Sequence, residues 1–144
     1  MNDVCAAFRK YAEMKHVRFV YESNFDYLNV WFDSDKMGSI LKNILSNALK
    51  YTPEEGSVCI SACEEGSTWS IEVKDTGIGI PSCEQKKLFR NCFRGSNVVN
   101  LKVTGSGIGL MLVYKLVKLH KGKIQIQSNE QQGTCVRVTF PKGN

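Results

Sequence analysis

Apolar side chains recur every three or four positions along residues 34–52, which is the spacing of one face of an α-helix. This is the clearest helix that the sequence predicts, with Ser34 as its N-cap and Pro53 just beyond its end. The same spacing predicts a helix over residues 2–15 and another over about residues 107–120.

Alternation of apolar and polar positions predicts the strands. Short turns at residues 24–26 and 65–66 would join neighbouring strands into hairpins. Adjacent hairpins mixed with helices indicate an α+β protein, a two-layer sandwich whose mostly antiparallel sheet packs on helices. The predicted strands are VRFVYES (17–23), YLNVWFD (27–33), SVCISACEE (57–65), TWSIEVKD (68–75), KIQIQSNE (123–130) and GTCVRVTFP (133–141).

Residues 81–106 show little periodicity apart from one short helical piece at about residues 83–91. Irregular segments of this length inside a compact domain are usually functional lids or disordered. Residues 81–106 are therefore a candidate for a functional lid or a disordered segment.

Composition narrows the class of protein. A chain of 144 residues suits one domain with one core, and no apolar run approaches the roughly 20 residues of a membrane-spanning helix. The N-terminal residues mix both charges, so we predict no signal peptide.

The six cysteines include no Cys-x-x-Cys pair, which favours reduced thiols over a zinc site. The net charge of +5 is spread along the chain, so a solvated surface with a local anion site is favoured over a nucleic-acid surface.

A polar stripe runs beside the apolar face of the longest predicted helix, where Asn43, Asn47 and Lys50 stand at i, i+4 and i+7. Buried side-chain amides need partners, because each unpaired one costs about 1–3 kcal/mol. A magnesium ion shared with phosphate oxygens would suit them, since Mg²⁺ takes few protein ligands. Surface asparagines without a ligand are the alternative.

Asp75 closes a predicted strand, and Gly77 and Gly79 follow it. A carboxylate in this place can accept a hydrogen bond from an amino group such as the exocyclic amine of adenine, and the glycines allow close backbone approach. An ordinary aspartate-containing turn is the alternative interpretation.

A glycine-rich stretch at residues 105–109 leads into the third predicted helix. It is not a Walker loop, because no Gly-Lys-Ser/Thr follows, and it is not the dinucleotide fingerprint, because Leu110 stands at the last glycine position. The N–H groups and positive dipole end of a helix start favour an anion, and Ser106 adds a hydroxyl donor. A simple turn before a helix is the alternative.

Taken in this order, the segments resemble the catalytic, ATP-binding domain of the sensor histidine kinases. The resemblance covers about residues 17–141. It implies a Bergerat-type fold with a flexible ATP lid at about residues 81–106. It also implies that residues 1–15 are a linker helix from a missing phosphoacceptor domain, and that residues 16–144 are the catalytic domain. The motifs that carry it are NILSNALKYT (43–52), DTGIGI (75–80), LFRNCFRGS (88–96) and GSGIGL (105–110).

The resemblance also implies individual roles. Asn47 would coordinate the Mg²⁺ that bridges the ATP phosphates, and Asn43 would line the phosphate pocket. Lys50 would reach a phosphate oxygen. Tyr51 would lie against the adenine ring, and Asp75 would accept a hydrogen bond from the adenine amine.

Catalytic roles are implied for Asn43 and Lys50, together with Arg94, which would meet the γ-phosphate. Within LFRNCFRGS, which resembles the F box of the family, Cys92 stands at a position that is often aromatic, which loosens the expected lid. The remaining nucleotide contacts that the resemblance implies are Gly77, Gly79, Ile80, Phe89, Phe93, Gly105, Ser106, Gly107, Ile108, Gly109 and Leu110.

The resemblance predicts a protein histidine kinase domain that uses ATP and Mg²⁺. Its partners would be a phosphoacceptor and dimerisation domain and the receiver domain of a response regulator, without nucleic acid or direct membrane contact. We expect a cytoplasmic domain of a membrane-anchored sensor. His16 lacks the acidic neighbour of a phosphoacceptor histidine. The alternatives are a hydrolysing ATPase of the superfamily, an anti-sigma-type serine kinase, or a nucleotide-binding regulatory module.

Overall fold

The computed structural model describes residues 2–24, 34–79, 108–129 and 131–142. Within these residues, no helix is long and apolar enough to cross a membrane. The described elements follow the chain as α1 (Asn2–Met14), β1 (Arg18–Ser23), α2 (Ser34–Tyr51), β2 (Ser57–Glu65), β3 (Thr68–Asp75), α3 (Ile108–Leu119), β4 (Lys123–Asn129) and β5 (Gly133–Pro141).

These elements form a mixed five-stranded sheet in the order β1-β2-β3-β5-β4. The β2–β3, β3–β5 and β4–β5 pairs are antiparallel, whereas β1 pairs with β2 in parallel. The α+β class and the mostly antiparallel sheet are therefore confirmed. The pattern did not predict the parallel pair, because it joined β1 to residues 27–33, which lie outside the described residues.

The sheet buries one face against the helices. Alternate positions of each central strand point inward, as the period of two requires, and the opposite positions are more exposed. From the helix side, α1 contributes Cys5 and Ala12 and α3 contributes Val113 and Val117 to the same core. The largest fully buried side chains of α2 and of the three central strands are Ile40, Leu41, Leu45, Leu49, Val58, Ile60, Ile71, Val73, Val138 and Phe140.

Two helix ends use the same left-handed cap. The amide of Val17 donates to the carbonyl of Ala12 (2.9 Å) after His16, whose φ is 59°. The amide of Gly122 donates to the carbonyl of Val117 (2.8 Å), after a residue with a φ of 60°. This is the Schellman pattern, in which a left-handed residue ends the helix and turns the chain towards a strand.

Two glycines with different backbone conformations should respond oppositely to alanine. A Cβ at Gly38, inside α2, or at Gly66, in the β2–β3 turn, would meet no heavy atom within 4 Å, but Gly66 has a φ of +59°. Gly38→Ala should raise the free energy of unfolding by about 1 kcal/mol, because alanine is the better helix former. Gly66→Ala should lower it by about 1–2 kcal/mol, since an L-residue is strained in that region. Urea unfolding of both variants measures the difference, and equal signs would contradict the helical assignment of Gly38.

Candidate nucleotide-binding site

The predicted polar stripe, Asn43, Asn47 and Lys50, lies on α2. The Asn43 side-chain amide donates to the carbonyl of Ser39, one turn earlier, at 2.7 Å. Asn43 is half-buried, and this bond uses one of its two N–H groups and orients the side chain. The amide oxygen has no hydrogen-bond partner among the residues that the structure describes.

Asn47, one turn further on, is also half-buried. Its side chain makes no hydrogen bond or ion pair with another residue that the structure describes. An amide oxygen is a hard ligand of the kind that Mg²⁺ accepts beside phosphate and water oxygens. Asn47 therefore fits the metal-binding role that the sequence implied, with the remaining positions left to the nucleotide and solvent.

The C-terminal end of α2 carries Lys50, which is exposed, and Tyr51, which is half-buried. The last carbonyls of any helix have no partner within it. Here the carbonyl of Ala48 accepts from the Thr52 hydroxyl at 2.6 Å, and the carbonyl of Tyr51 accepts from the amide of Ile78 at 3.3 Å. The loop that follows Asp75 is thereby held against the end of the helix.

A third partner is Lys15, the residue that follows α1. Its ammonium group donates to the carbonyl of Leu49, again in the last turn of α2. The sequence analysis gave no role to Lys15, Thr52 or Ile78. Lys15 and Ile78 reach α2 only through the tertiary fold. Of the three, only Thr52 follows the helix closely enough in sequence to have been proposed as its cap.

Asp75 ends β3, and its carboxylate is anchored on one oxygen. Oδ1 accepts from the amide of Gly77 at 2.8 Å and from the amide of Thr134, on the neighbouring strand, at 3.2 Å. Within the described residues, Oδ2 accepts no hydrogen bond. Burial raises the pKa of Asp75 from 3.8 to about 6, against the two backbone hydrogen bonds, which lower it. A fixed carboxylate with one free oxygen can accept a hydrogen bond from a ligand.

Gly77 in this loop and Gly133 at the start of β5 pack closely against protein backbone. A Cβ on Gly77 would lie 2.5 Å from the carbonyl oxygen of Tyr51, and one on Gly133 would lie 2.1 Å from the carbonyl oxygen of Asp75. Gly79 is buried with a φ of 73°. Close approach to a nucleotide was the predicted reason for Gly77, and the structure supplies another, its contact with the end of α2. The sequence analysis missed Gly133, whose only local signal is its place at the start of a strand.

A pocket of about 400 Å³ opens beside the end of α2. It brings together the residue that follows α1, the end of α2 with the turn after it, and the loop after β3. Asp75 and Asn47 are not among the residues that line it. Its lining residues are Lys15, Lys50, Tyr51, Thr52, Pro53, Glu54 and Ile78.

The remaining predicted site residues fall in other parts of the chain. Gly109 belongs, with its neighbours on either side, to the first turn of α3, which begins at Ile108 as the glycine-rich stretch ends. The lid at about residues 81–106 lies outside the described residues. So do the predicted contacts Ile80, Phe89, Phe93, Arg94, Gly105, Ser106 and Gly107.

Residues 32–144 match the family described as histidine kinase-, DNA gyrase B- and HSP90-like ATPases. The chain belongs to this family. Among curated relatives, the sensor histidine kinase WalK of Bacillus subtilis is 40% identical over 129 residues, which are 88% of this chain and 21% of WalK. The chain spans from about a tenth to about a third of the length of the curated relatives it matches.

Solved structures agree on the fold. The nucleotide-free catalytic domain of the histidine kinase ThkA superposes with a TM-score of 0.84 at 24% identity, covering 99% of this chain and 90% of that one. Full-length ShkA in complex with AMPPNP gives a TM-score of 0.82 at 23% identity, covering 97% of this chain and 28% of ShkA. The resemblance to the ATP-binding domain of sensor histidine kinases is thus confirmed.

The pKa of Asp75 predicts a gain in stability when its charge is removed. Because burial raises this pKa, the folded state favours the neutral carboxyl, and that contribution is lost as the pH rises through about 6. Asp75→Asn keeps the oxygen that accepts from Gly77 and carries no charge. It should raise the free energy of unfolding at pH 8 by about 3 kcal/mol, and most of the gain should be lost near pH 4.

Urea unfolding from pH 4 to pH 8 measures this difference. Glu13→Gln, which removes an exposed carboxylate of α1, is the matched control and should leave the pH dependence unchanged. A gain that stays constant over this range would show that the charge of Asp75 is not its source.

Proposed function

We propose that the chain binds Mg-ATP and donates the γ-phosphoryl group to a histidine on a separate phosphoacceptor domain, in two-component signalling. The observation that carries this proposal is the Asp75 carboxylate, held on Oδ1 with Oδ2 open, beside the α2 residues of a histidine kinase-like domain. The AMPPNP complex of ShkA supports ATP as the nucleotide.

In this proposal, different described residues contact the base and the phosphates of the nucleotide. Oδ2 of Asp75 accepts from the adenine amine, and the ring of Tyr51 offers an aromatic face to the base. Lys50, at the exposed end of α2, supplies a cation for a phosphate oxygen. Asn47 and Asn43 face the phosphates, with Asn47 as the Mg²⁺ ligand. When bound, Mg²⁺ neutralises phosphate charge, which is the main chemical demand of phosphoryl transfer.

Asn43 favours transfer over hydrolysis. The hydrolysing ATPases of the superfamily carry a glutamate four residues before the metal-binding asparagine, where it activates water. An amide has no basic group to take the proton of water, and here its nitrogen is already committed to Ser39. The phosphoryl group must therefore pass to an acceptor that brings its own nucleophile.

The rest of the signalling chain is proposed by the same resemblance. We infer that α1 is the linker from the phosphoacceptor and dimerisation domain. We infer that a response regulator receives the phosphoryl group downstream, as the complex of ThkA with the response regulator TrrA supports. The setting that fits these partners is the cytoplasmic part of a membrane-anchored sensor.

Nucleotide binding tests the role of Asp75 directly. Asparagine at this position would turn an N–H group towards the adenine amine, so donor would face donor. Asp75→Asn should weaken the affinity for Mg-AMPPNP about tenfold to a hundredfold at pH 8. Wild-type affinity should fall as the pH drops below about 6, because the carboxylate becomes protonated. Calorimetric titration measures both, and full affinity of the folded variant would remove Asp75 from the site.

The magnesium role of Asn47 is tested by a difference between two titrations. Asn47→Ala should weaken AMPPNP binding about tenfold with Mg²⁺ present, since a metal ligand is lost, and should match wild type when EDTA removes the metal. Ser46→Ala, on the adjacent position of α2, is the control. An equal loss with and without Mg²⁺ would assign Asn47 to the nucleotide instead.

Phosphoryl transfer is tested with the wild-type domain, radiolabelled ATP and a separately purified phosphoacceptor domain from a histidine kinase. Acid-labile, alkali-stable phosphate on that domain is the expected result, because it identifies phosphohistidine. Release of inorganic phosphate at the same rate with and without the acceptor domain would favour the hydrolysing ATPase. Acid-stable label would favour a serine kinase.

A further inference from the structure

The last turn of α2 is held from outside by Lys15, the residue that follows α1. Lys15 donates its ammonium hydrogen to the carbonyl of Leu49. The ammonium group also lies 5.9 Å from the centre of the Tyr11 ring, within the range of a cation–π contact. A cation at a helix C-terminus is favoured by the partial negative charge of the unpaired carbonyls. Lys15 therefore acts as a capping group for α2, supplied by the turn that follows α1.

Lys15 occupies a defined position because backbone hydrogen bonds fix the chain on either side of it. The α1 cap places the carbonyl of His16 where the amide of Glu55 donates to it at 2.9 Å. Two residues after His16, the amide of Arg18 donates to the carbonyl of Gly56, the residue after Glu55, at 3.0 Å. The end of α1 and the turn that follows α2 thus form one hydrogen-bonded unit.

The same ammonium group borders the pocket beside the nucleotide residues. Lys15, Lys50 and Tyr51 all line the cavity of about 400 Å³. Burial lowers the pKa of Lys15, which is the mark of an ammonium group partly withdrawn from water. Its carbonyl partner in α2 lies one and two residues before Lys50 and Tyr51, so loosening the bond loosens the turn that carries them.

We propose that Lys15 is a positioning residue for nucleotide binding, which holds the last turn of α2 and thereby links α1 to Lys50 and Tyr51. This inference rests on the proposed function of the site. It adds to that function a route by which displacement of α1 changes nucleotide affinity without any contact between α1 and the nucleotide.

The test compares substitutions at Lys15 with one on α1. Lys15→Met keeps the length of the side chain and removes the donor, and Lys15→Arg keeps a donor. Lys10→Met removes an exposed lysine of α1. Calorimetry with Mg-AMPPNP should show about a tenfold loss for Lys15→Met, none for Lys10→Met, and recovery of most of the loss in Lys15→Arg. Circular dichroism first confirms that each variant is folded.

Amide exchange in the absence of nucleotide separates positioning from a general loss of stability. Lys15→Met should speed exchange at the amide of Ile78, which donates to the carbonyl of Tyr51 at the end of α2, while the sheet amides of β3 stay protected. Uniform acceleration across the domain would show a structural role only and overturn the proposal. If Lys15→Met does not fold, Lys15→Gln, which is too short to reach the same carbonyl, replaces it in both measurements.

Two failures remain distinct. If wild type binds Mg-AMPPNP and folded Lys15→Met binds equally well, the positioning role is wrong and the proposed function stands. If folded wild type shows no binding, the proposed function fails, and the positioning role fails with it.

Discussion

The end of α2 leaves backbone carbonyls that the helix itself cannot pair, and the site is arranged around supplying their partners. The Thr52 hydroxyl, the Lys15 ammonium group and the Ile78 amide each take one of them. These donors come from the chain just after α2, from the turn just after α1 and from the loop after β3. One local requirement of backbone hydrogen bonding therefore joins three separate segments at the place where Lys50 and Tyr51 leave the helix.

Close backbone packing at two glycines adds to these hydrogen bonds. Gly77 approaches the carbonyl of Tyr51, and Gly133 approaches the carbonyl of Asp75, more closely than any side chain would permit. Both contacts bring backbone to backbone, so relief by rotation of a side chain is excluded. The carboxylate of Asp75 is consequently held between a loop and a strand, with Oδ1 bonded by both and Oδ2 accepting no hydrogen bond from the residues that the structure describes.

Holding a carboxylate in this way opposes stability. Burial raises the pKa of Asp75 to about 6, so at neutral pH the fold maintains a charge that its surroundings disfavour. Two backbone amides offset part of that cost. A binding site commonly carries such a local conflict, because the group that recognises a ligand must stay unsatisfied until the ligand arrives.

Periodicity by itself determined the three described helices, five of the six predicted strands and the α+β class, because amphipathic faces report which side of each element is buried. Order and spacing of the motifs determined the family. The tertiary structure alone decided the parallel pairing of β1 with β2, since register across distant strands leaves no local pattern. It also decided that Gly77 packs on Tyr51, that Thr134 and Gly133 support Asp75, and that Lys15 caps α2. Each of these contacts joins residues far apart in the chain, and only the folded backbone brings their donors, acceptors and van der Waals surfaces together.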